Sequence, residues 1–357
     1  MFKLLNKSIK RICLLGNQHG LLQYLLLSSL EEINQTFFLW NYVSIHHYVI
    51  RKFGKQGIVI PEPRKKLTDL RLVNLAIKYI RLFYDYYILY PLKYPFVLNY
   101  KLDYWGHDHV YNAHCFLREH PFRLLEDGTL NYVSYPYPQP QKRFLWFKRM
   151  LAGKNYSEYK KYAGSESLCK EIFLTGLLDS GEVLHDPRVK IKSFLDMWEE
   201  SSSEKRAFIN YVFGVSVNLI EKCKEFRHIL LTDPFSEDDV ISEMEKIDLV
   251  RNIIERIGQK DLLIKPHPRE KTDYSKYFPD IYVLKTYAPM QLLSLNGVRF
   301  DAAYSILSTA LFDFPYRIKV CAIGSEIHPV LYEKFPDWSS DKIKKRVSDN
   351  NIELFSL

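Results

Sequence analysis

The segment that most constrains the fold is a short apolar run, residues 262–264, followed at once by Lys-Pro-His-Pro-Arg. A run this short with polar neighbours predicts a buried strand. Pro266 and Pro268 keep the backbone around His267 extended, since each proline fixes its own φ and restricts the residue before it. The imidazole therefore stands at the carboxyl end of a strand, where open α/β sheets bind ligands.

Lys265 and Arg269 place positive charge on both sides of His267. A histidine between two cations suits an anionic substrate, and it can donate a proton near neutral pH. Taken alone, the segment fits an ordinary loop histidine between turn prolines equally well.

Short apolar runs of this form alternate with amphipathic helices along the chain. Strands are predicted at 11–15, 122–125, 228–231, 262–264, 302–304 and 317–323, and helices at 67–89, 112–119, 205–224 and after Ser236. This alternation predicts an α/β protein with parallel sheets. A chain of 357 residues has room for two domains. We expect two doubly wound domains, 1–205 and 206–357, with a cleft between them.

Charge and cysteine content narrow the class of protein. The formal charge of +8 favours anionic partners, but no nucleic-acid motif is present. The five cysteines are scattered and odd in number, which indicates a reducing compartment and argues against disulfides or a zinc site. Neither a secretion signal nor an apolar run long enough to cross a bilayer is evident, so the expected location is the cytoplasm.

The stretch Lys142–Arg149 is both basic and aromatic. It fits a solvated amphipathic helix, or a patch that rests on an anionic membrane or a lipid acceptor. We favour the second interpretation, which places the protein peripherally at the inner face of the plasma membrane.

Four polar segments follow predicted strands: 126–128, 232–239, 265–269 and 305–309. Together they hold what an inverting sugar transfer needs. A carboxylate accepts the proton of the attacking hydroxyl, and an acid or cation stabilises the departing phosphate. Hydroxyls and N–H groups at a helix start bind that phosphate. The carboxylates also have ordinary explanations, since Asp127 precedes a turn glycine and Glu237 and Asp238 favour a helix start.

The order Glu126-Asp127-Gly128, then Pro266-His267-Pro268, then Ser308-Thr309 is similar to the motif order of bacterial sialyltransferases. The longer strings around these motifs resemble glycosyltransferase family 52, which includes the lipooligosaccharide α-2,3-sialyltransferases. The resemblance spans roughly residues 11–315 and is sharp only at the motifs.

The resemblance implies a GT-B fold and an inverting transfer from CMP-Neu5Ac, without a metal, to a terminal galactoside of lipooligosaccharide or capsule. His267 would be the general acid, and the base would be Asp127 or Glu126, or else Glu237 or Asp238. The remaining donor-binding candidates are Lys265, Pro268, Arg269, Gln291, Ser308 and Thr309. Family relatives also suggest a homodimer.

One departure from the family pattern concerns the stretch 289–293, where some relatives carry an acidic residue that contacts the cytidine. Gln291 stands there instead. The family also contains hexosyltransferases. A transferase using UDP-hexose or CMP-Kdo, and a non-catalytic glycan- or nucleotide-binding GT-B protein, therefore stay open as alternatives.

Overall fold

The computed structural model describes residues 9–41, 45–60, 71–99, 101–110, 112–117, 120–132, 142–153, 161–179, 181–258, 260–340 and 352–354. The chain divides into two compact units. Unit 1 comprises residues 1–45, 53–175 and 181–192, and unit 2 comprises 46–52, 176–180 and 193–357.

Unit 1 is built on a seven-stranded parallel sheet with the order β3-β2-β1-β4-β5-β6-β7. Its strands are β1 (Arg11–Leu15), β2 (Thr36–Asn41), β3 (Gly57–Ile60), β4 (Asp103–Gly106), β5 (Phe122–Leu124), β6 (Cys169–Leu174) and β7 (Val189–Ile191). The central strands β1 and β2 are buried along nearly their whole length, as expected of a sheet covered on both faces.

Unit 2 is built on a six-stranded parallel sheet with the order β10-β9-β8-β11-β12-β13. Its strands are β8 (His228–Leu231), β9 (Leu262–Lys265), β10 (Tyr282–Val283), β11 (Ala302–Ser305), β12 (Ile318–Ala322) and β13 (Ile352–Leu354). All described strand pairs in both units are parallel. The prediction of an α/β protein with two doubly wound domains is therefore confirmed.

The helices of unit 1 are α1 (Gln18–Leu27), α2 (Leu30–Asn34), α4 (Arg71–Tyr84), α5 (Tyr90–Lys93), α6 (Ala113–Leu117) and α7 (Lys142–Ala152). A π-helical segment, Asp85–Leu89, joins α4 to α5. The helices of unit 2 are α3 (His47–Lys52), α8 (Phe194–Glu199), α9 (Ser203–Phe213), α10 (Val217–Cys223), α11 (Glu243–Ile257), α12 (Met290–Leu295) and α13 (Pro329–Lys334). None of the helices that the structure describes is long and apolar enough to cross a membrane.

Two helix predictions need correction. The single helix expected at 205–224 is two helices, because Gly214 adopts φ +69° and ends α9, and Ser216 then caps α10. The helix expected after Ser236 begins only at Glu243, where Ser242 and Glu245 form a capping box. The residues between Ser236 and Ser242 stay in a loop, which leaves Glu237 and Asp238 outside any helix.

The main division between the units lies at residues 192/193 and differs from the expected 205/206. Residue 205 lies inside α9, which belongs to unit 2. Strand β7 ends at Ile191, and the next helix, α8, packs against α12 of unit 2. The chain therefore leaves unit 1 about one helix earlier than its sequence suggests.

Candidate active site

The first candidate cluster lies at the carboxyl edge of the unit 1 sheet. The strand order reverses between β1 and β4, since β2 and β3 extend on one side and β5 to β7 on the other. Open α/β sheets bind ligands at such a switch point. Residues 16 and 17 and the first turn of α1, which holds His19, follow β1. His107, Asp108 and His109 follow β4, and Glu126 and Asp127 come just after the neighbouring β5.

His107 is fully buried in this cluster and has a defined tautomer. Its Nδ1 accepts the backbone N–H of Gly16 at 2.9 Å, so its hydrogen is on Nε2, which lies 3.3 Å from the carbonyl oxygen of Glu126. Burial lowers the pKa of His107 to about 4. A Cβ on Gly20 would come within 2.4 Å of this ring, so only glycine fits there. His107 is thus a neutral, structural imidazole.

His109 has the opposite character. Its Nε2 lies 2.5 Å from Oδ2 of Asp127, and Oδ1 of Asp108 lies 3.8 Å from its Nδ1. Burial opposes the charged imidazole, but the two carboxylates outweigh burial and raise the pKa of His109 to about 9. His109 is therefore an imidazolium at neutral pH.

Asp127 is the predicted base candidate that this cluster leaves partly accessible, with 17% of its side chain exposed. Burial would raise its pKa, but His107 and His109 hold the pKa below its usual range. Because His107 is neutral at pH 7, the cation that stabilises Asp127 there is His109. Gly128 adopts φ +76°, which confirms the predicted tight turn.

Glu126 is completely buried and saturated with donors. Its carboxylate accepts the N–H and hydroxyl of Thr175 at 2.5 and 2.8 Å and the hydroxyl of Tyr132 at 3.1 Å, and Nε2 of His19 lies at 3.2 Å. A carboxylate with this many partners joins the ends of β5 and β6. Glu126 is therefore better suited to holding the cluster together than to taking a proton from a substrate.

The second candidate cluster lies at the carboxyl edge of the unit 2 sheet. Here the strand order reverses between β8 and β11. Asp233 follows β8, and its Oδ2 accepts the N–H of Leu307 at 3.1 Å and the hydroxyl of Ser305 at 3.3 Å. Burial raises the pKa of Asp233 to about 7. Asp233 thereby ties the loop after β11, which carries Ser308, to the end of β8.

Ser308 occupies the N-cap position of the 3₁₀ turn Thr309–Phe312. Its side chain makes no capping hydrogen bond, so its hydroxyl is not used to stabilise the turn. The helix start that was expected to bind phosphate is a single 3₁₀ turn here, and the side chain of Thr309 lies outside the described residues.

His267 follows β9, the neighbour of β8 in this sheet. Its Nδ1 accepts the backbone N–H of Arg269 at 3.2 Å, so in the neutral ring the hydrogen is on Nε2. Burial and the positive charges of Arg269 and Lys265 lower the pKa of His267 to about 3. The side chain of Lys265 is itself 6% exposed, and burial lowers its pKa to about 8.

The remaining acidic candidates of unit 2 are ion-paired. Asp238 forms a bidentate pair with the guanidinium of Arg269 at 2.8 and 3.0 Å. Glu237 accepts the ammonium of Lys246 at 2.9 Å and the N–H of Lys271 at 2.7 Å. Both carboxylates therefore stabilise the His267 segment, and a proton-accepting role requires them to leave these partners.

The profile of Glycosyltransferase family 52 matches residues 92–326. This chain belongs to glycosyltransferase family 52. An uncharacterised protein of Haemophilus influenzae is 33% identical over 231 residues, which is 65% of this chain and 71% of that protein. The family resemblance of the motifs is thus confirmed.

Solved structures agree on the fold. A 2,6-sialyltransferase of a Vibrionaceae Photobacterium species, in a ternary complex with CMP and lactose, gives a TM-score of 0.55 at 12% identity and covers 96% of this chain and 78% of that one. The GT-B domain of a Photobacterium damselae sialyltransferase gives 0.51 at 13% identity, with coverages of 97% and 100%. The chain is a GT-B protein.

Several residues of the two candidate clusters were not singled out as candidates from the sequence. They are His107, His109, Asp233, Lys246, Glu270 and Asp313. Asp313 accepts the amide N–H of Gln291, which brings a carboxylate to the place where the sequence shows none. His107 and His109 come directly after β4, and a position just after a short aromatic strand was the available signal. Pro268 lies in the turn between His267 and Arg269.

Among the residues that the structure describes, no group of three or more His, Cys, Asp or Glu side chains is arranged to hold a metal ion. The charges that surround His267 and Asp127 come from the protein's own side chains.

Proposed function

We propose that this family 52 enzyme transfers sialic acid from CMP-Neu5Ac, with inversion and without a metal, to a terminal galactoside of a bacterial surface glycan. Family membership supports glycosyl transfer. The donor is proposed from the motif order and from the anion-binding character of the unit 2 cluster. An α-2,3 linkage stays a prediction, because a 2,6-sialyltransferase shares the fold.

The observation that carries the proposal is the unit 2 switch point. The Nε2–H of His267 and the uncommitted hydroxyl of Ser308 stand on loops after β9 and β11, two strand spacings apart. Two spacings amount to about 10 Å. A phosphate held between the two loops comes within reach of both side chains. Lys265 adds positive charge beside the imidazole.

Because the imidazole of His267 is neutral in the free protein, it meets the phosphate first as a hydrogen-bond donor. A neutral imidazole donates the Nε2–H hydrogen bond to a phosphate oxygen of the departing CMP. The approach of that anion also opposes the effect of Lys265 and Arg269, so the bound donor favours protonation of His267. His267 then stabilises the charge that develops on the phosphate.

Asp127 is our choice for the base. It is partly exposed and ionised, whereas Glu126 is saturated and Asp238 and Glu237 are paired with cations. His109 orients the Asp127 carboxylate through Oδ2. Oδ1 is then the oxygen that accepts the proton of the acceptor hydroxyl.

The test is nucleotide release from a panel of CMP- and UDP-sugars in the presence of lactose. We expect CMP release from CMP-Neu5Ac only, undiminished by EDTA. UDP release from a UDP-hexose, or CMP release from CMP-Kdo, would favour the corresponding alternative transferase. A metal requirement, seen as loss with EDTA and recovery with Mg²⁺ or Mn²⁺, would contradict the metal-free mechanism. No release from any donor would favour a binding protein.

We also propose that the α7 face rests on an anionic membrane. Trp146 is 66% exposed, and Phe147 packs edge-on against Tyr79 of α4 with ring centroids 5.8 Å apart. Ile80 and Leu92, from α4 and α5, are 69% and 78% exposed. Exposed apolar side chains beside basic ones are typical of interfacial segments. Flotation with vesicles of phosphatidylglycerol, against phosphatidylcholine alone, should show binding that Trp146→Ser weakens.

A further inference from the structure

A buried charge network lies beneath the His267 turn. The side chain of Glu270 is fully buried, and the ammonium-bearing side chain of Lys246 is 2% exposed. Their charged atoms lie 3.5 Å apart. Charges are seldom buried this completely unless they are paired. Removing two charges from water costs free energy that a buried ion pair often fails to recover, so stability alone is a weak explanation for this pair.

Two hydrogen bonds, one donated by each residue to the other, join Glu270 and His267 across the turn. The backbone N–H of His267 donates to Oε2 of Glu270 at 2.6 Å, and the N–H of Glu270 donates to the carbonyl oxygen of His267 at 2.9 Å. Within this closed turn, the N–H of Arg269 meets Nδ1 of the imidazole. The tautomer of His267 therefore depends on the shape of the turn that Glu270 closes.

Other donors hold the Glu270 carboxylate in place. Thr232, at the end of β8, donates its hydroxyl to Oε2, and Tyr274 donates its hydroxyl to Oε1 at 2.6 Å. Lys246 completes the set on the Oε1 side. The carboxylate is thus fixed by groups from a strand end, a 3₁₀ turn and a helix, so it is a rigid anchor for the backbone of His267.

Lys246 extends the anchor to the other side of the turn. Its ammonium also contacts Glu237, whose Oε1 accepts the N–H of Lys271. Residues 267 and 271 are therefore both held by carboxylates that share one buried cation. Lys246 stands on the first turn of α11, whose start is set by the Ser242–Glu245 capping box.

We propose that Glu270 is a positioning residue for His267, with Lys246 as its buried counter-ion. The network presents the imidazole with Nδ1 occupied and the Nε2–H directed to the ligand. This inference rests on the role of His267 in the proposed function, but its structural part can be tested separately.

The first measurement is the ¹⁵N spectrum of the histidine imidazoles at pH 7, with the His267 signals assigned by their loss in His267→Asn. The wild-type protein should show one neutral tautomer, protonated at Nε2. Glu270→Gln should give a mixture of the two tautomers. The matched control is Glu243→Gln, which removes another carboxylate 3.3 Å from Lys246 and leaves the turn bonds in place. It should keep the wild-type spectrum.

The second measurement is a double-mutant cycle on kcat. Glu270→Gln should lower kcat about 10- to 100-fold with KM changed less than threefold, and Glu243→Gln should stay within twofold of wild type. In the His267→Asn background, Glu270→Gln should cost little more, because the residue it positions is gone. An equal loss in both backgrounds, or an unchanged tautomer, overturns the positioning role.

The two proposals fail in different ways. If His267→Asn keeps full activity while Glu270→Gln still mixes the tautomers, the proposed catalytic role of His267 is wrong and the positioning network stands. If Glu270→Gln does not fold, Tyr274→Phe carries the test, since it removes only one donor to Oε1. It should mix the tautomers to a smaller extent, and an unchanged spectrum contradicts the proposal.

Discussion

His109 in unit 1 and His267 in unit 2 are both partly buried histidines that follow a strand at or beside a switch point, yet one is charged and the other is neutral. Asp127 and Asp108 surround His109 and raise its pKa to about 9. Burial, Arg269 and Lys265 lower the pKa of His267 to about 3. The comparison teaches that the position after a strand provides a functional imidazole, while the neighbouring charges decide whether it is a fixed cation or a neutral donor.

The largest expected effect is the difference in kcat between variants of the two histidines. His267→Asn should lower kcat by roughly 10²–10⁴-fold, because the departing phosphate loses its donor. His109→Gln should lower kcat by only about tenfold, since a glutamine amide can still donate to Asp127. Initial rates of CMP release measure both, with His185→Asn, outside both clusters, as the control. If the His109 variant loses more than the His267 variant, the two roles are assigned the wrong way round.

The next effect tests which unit supplies the base. Asp127→Asn should lower kcat by roughly 10²-fold or more and leave CMP affinity unchanged. Asp238→Asn should lower kcat by less than tenfold, because its pair with Arg269 is partly exposed and such pairs contribute little. Steady-state kinetics combined with calorimetric CMP titration gives both quantities. A larger kcat loss for Asp238→Asn would move the base to unit 2.

Much of the fold follows from local patterns. The predicted strands at 11–15, 122–125, 228–231 and 262–264 each overlap an observed strand, because short buried strands need only an apolar run with polar ends. The helix boundaries near 205–224 and Ser236 were wrong. Those depend on the left-handed conformation of Gly214 and on a choice between two serines that can each cap a helix.

The site was predicted only where it is local in sequence. His267 and Asp127 stand out beside proline and glycine. The partner of Asp127, His109, comes from a neighbouring strand 18 positions earlier, and Lys246 reaches the His267 turn from α11. Such pairs depend on the strand order, which alternation of strands and helices does not specify.

The next, smaller effect tests whether Ser308 and Thr309 belong to the phosphate site of unit 2. The double change Ser308→Ala/Thr309→Ala should weaken CMP binding by about 1.5–3 kcal/mol per lost charged hydrogen bond. Folding stability should change little, since Ser308 makes no capping bond. Calorimetric titration of CMP measures the affinity, and thermal unfolding serves as the control. Unchanged CMP affinity would remove both residues from the phosphate site.

The smallest effect concerns stability between pH 7 and 8, where only His109 should couple folding to proton binding. His109 has a raised pKa, so the folded protein keeps a proton that the unfolded chain, with a histidine pKa near 6.5, has released. Stability from this group is complete below about pH 6.5 and is lost as pH rises toward 9. His267 has a lowered pKa and is neutral in the folded state, and the unfolded ring is mostly neutral above pH 7, so it contributes almost no slope there.

The wild-type protein should therefore lose about 1 kcal/mol of unfolding free energy between pH 7 and 8 relative to His109→Gln, since one bound proton changes stability by about 1.4 kcal/mol per pH unit. The His267→Asn variant should show the wild-type slope. Urea unfolding at pH 7.0, 7.5 and 8.0 measures the three slopes, and the m-value checks that the unfolding transition is unchanged. Parallel slopes for wild type and His109→Gln would mean that His109 is neutral and that Asp127 lacks its cation. In that case both histidines would be neutral, and the two units would no longer differ in the charge of this side chain.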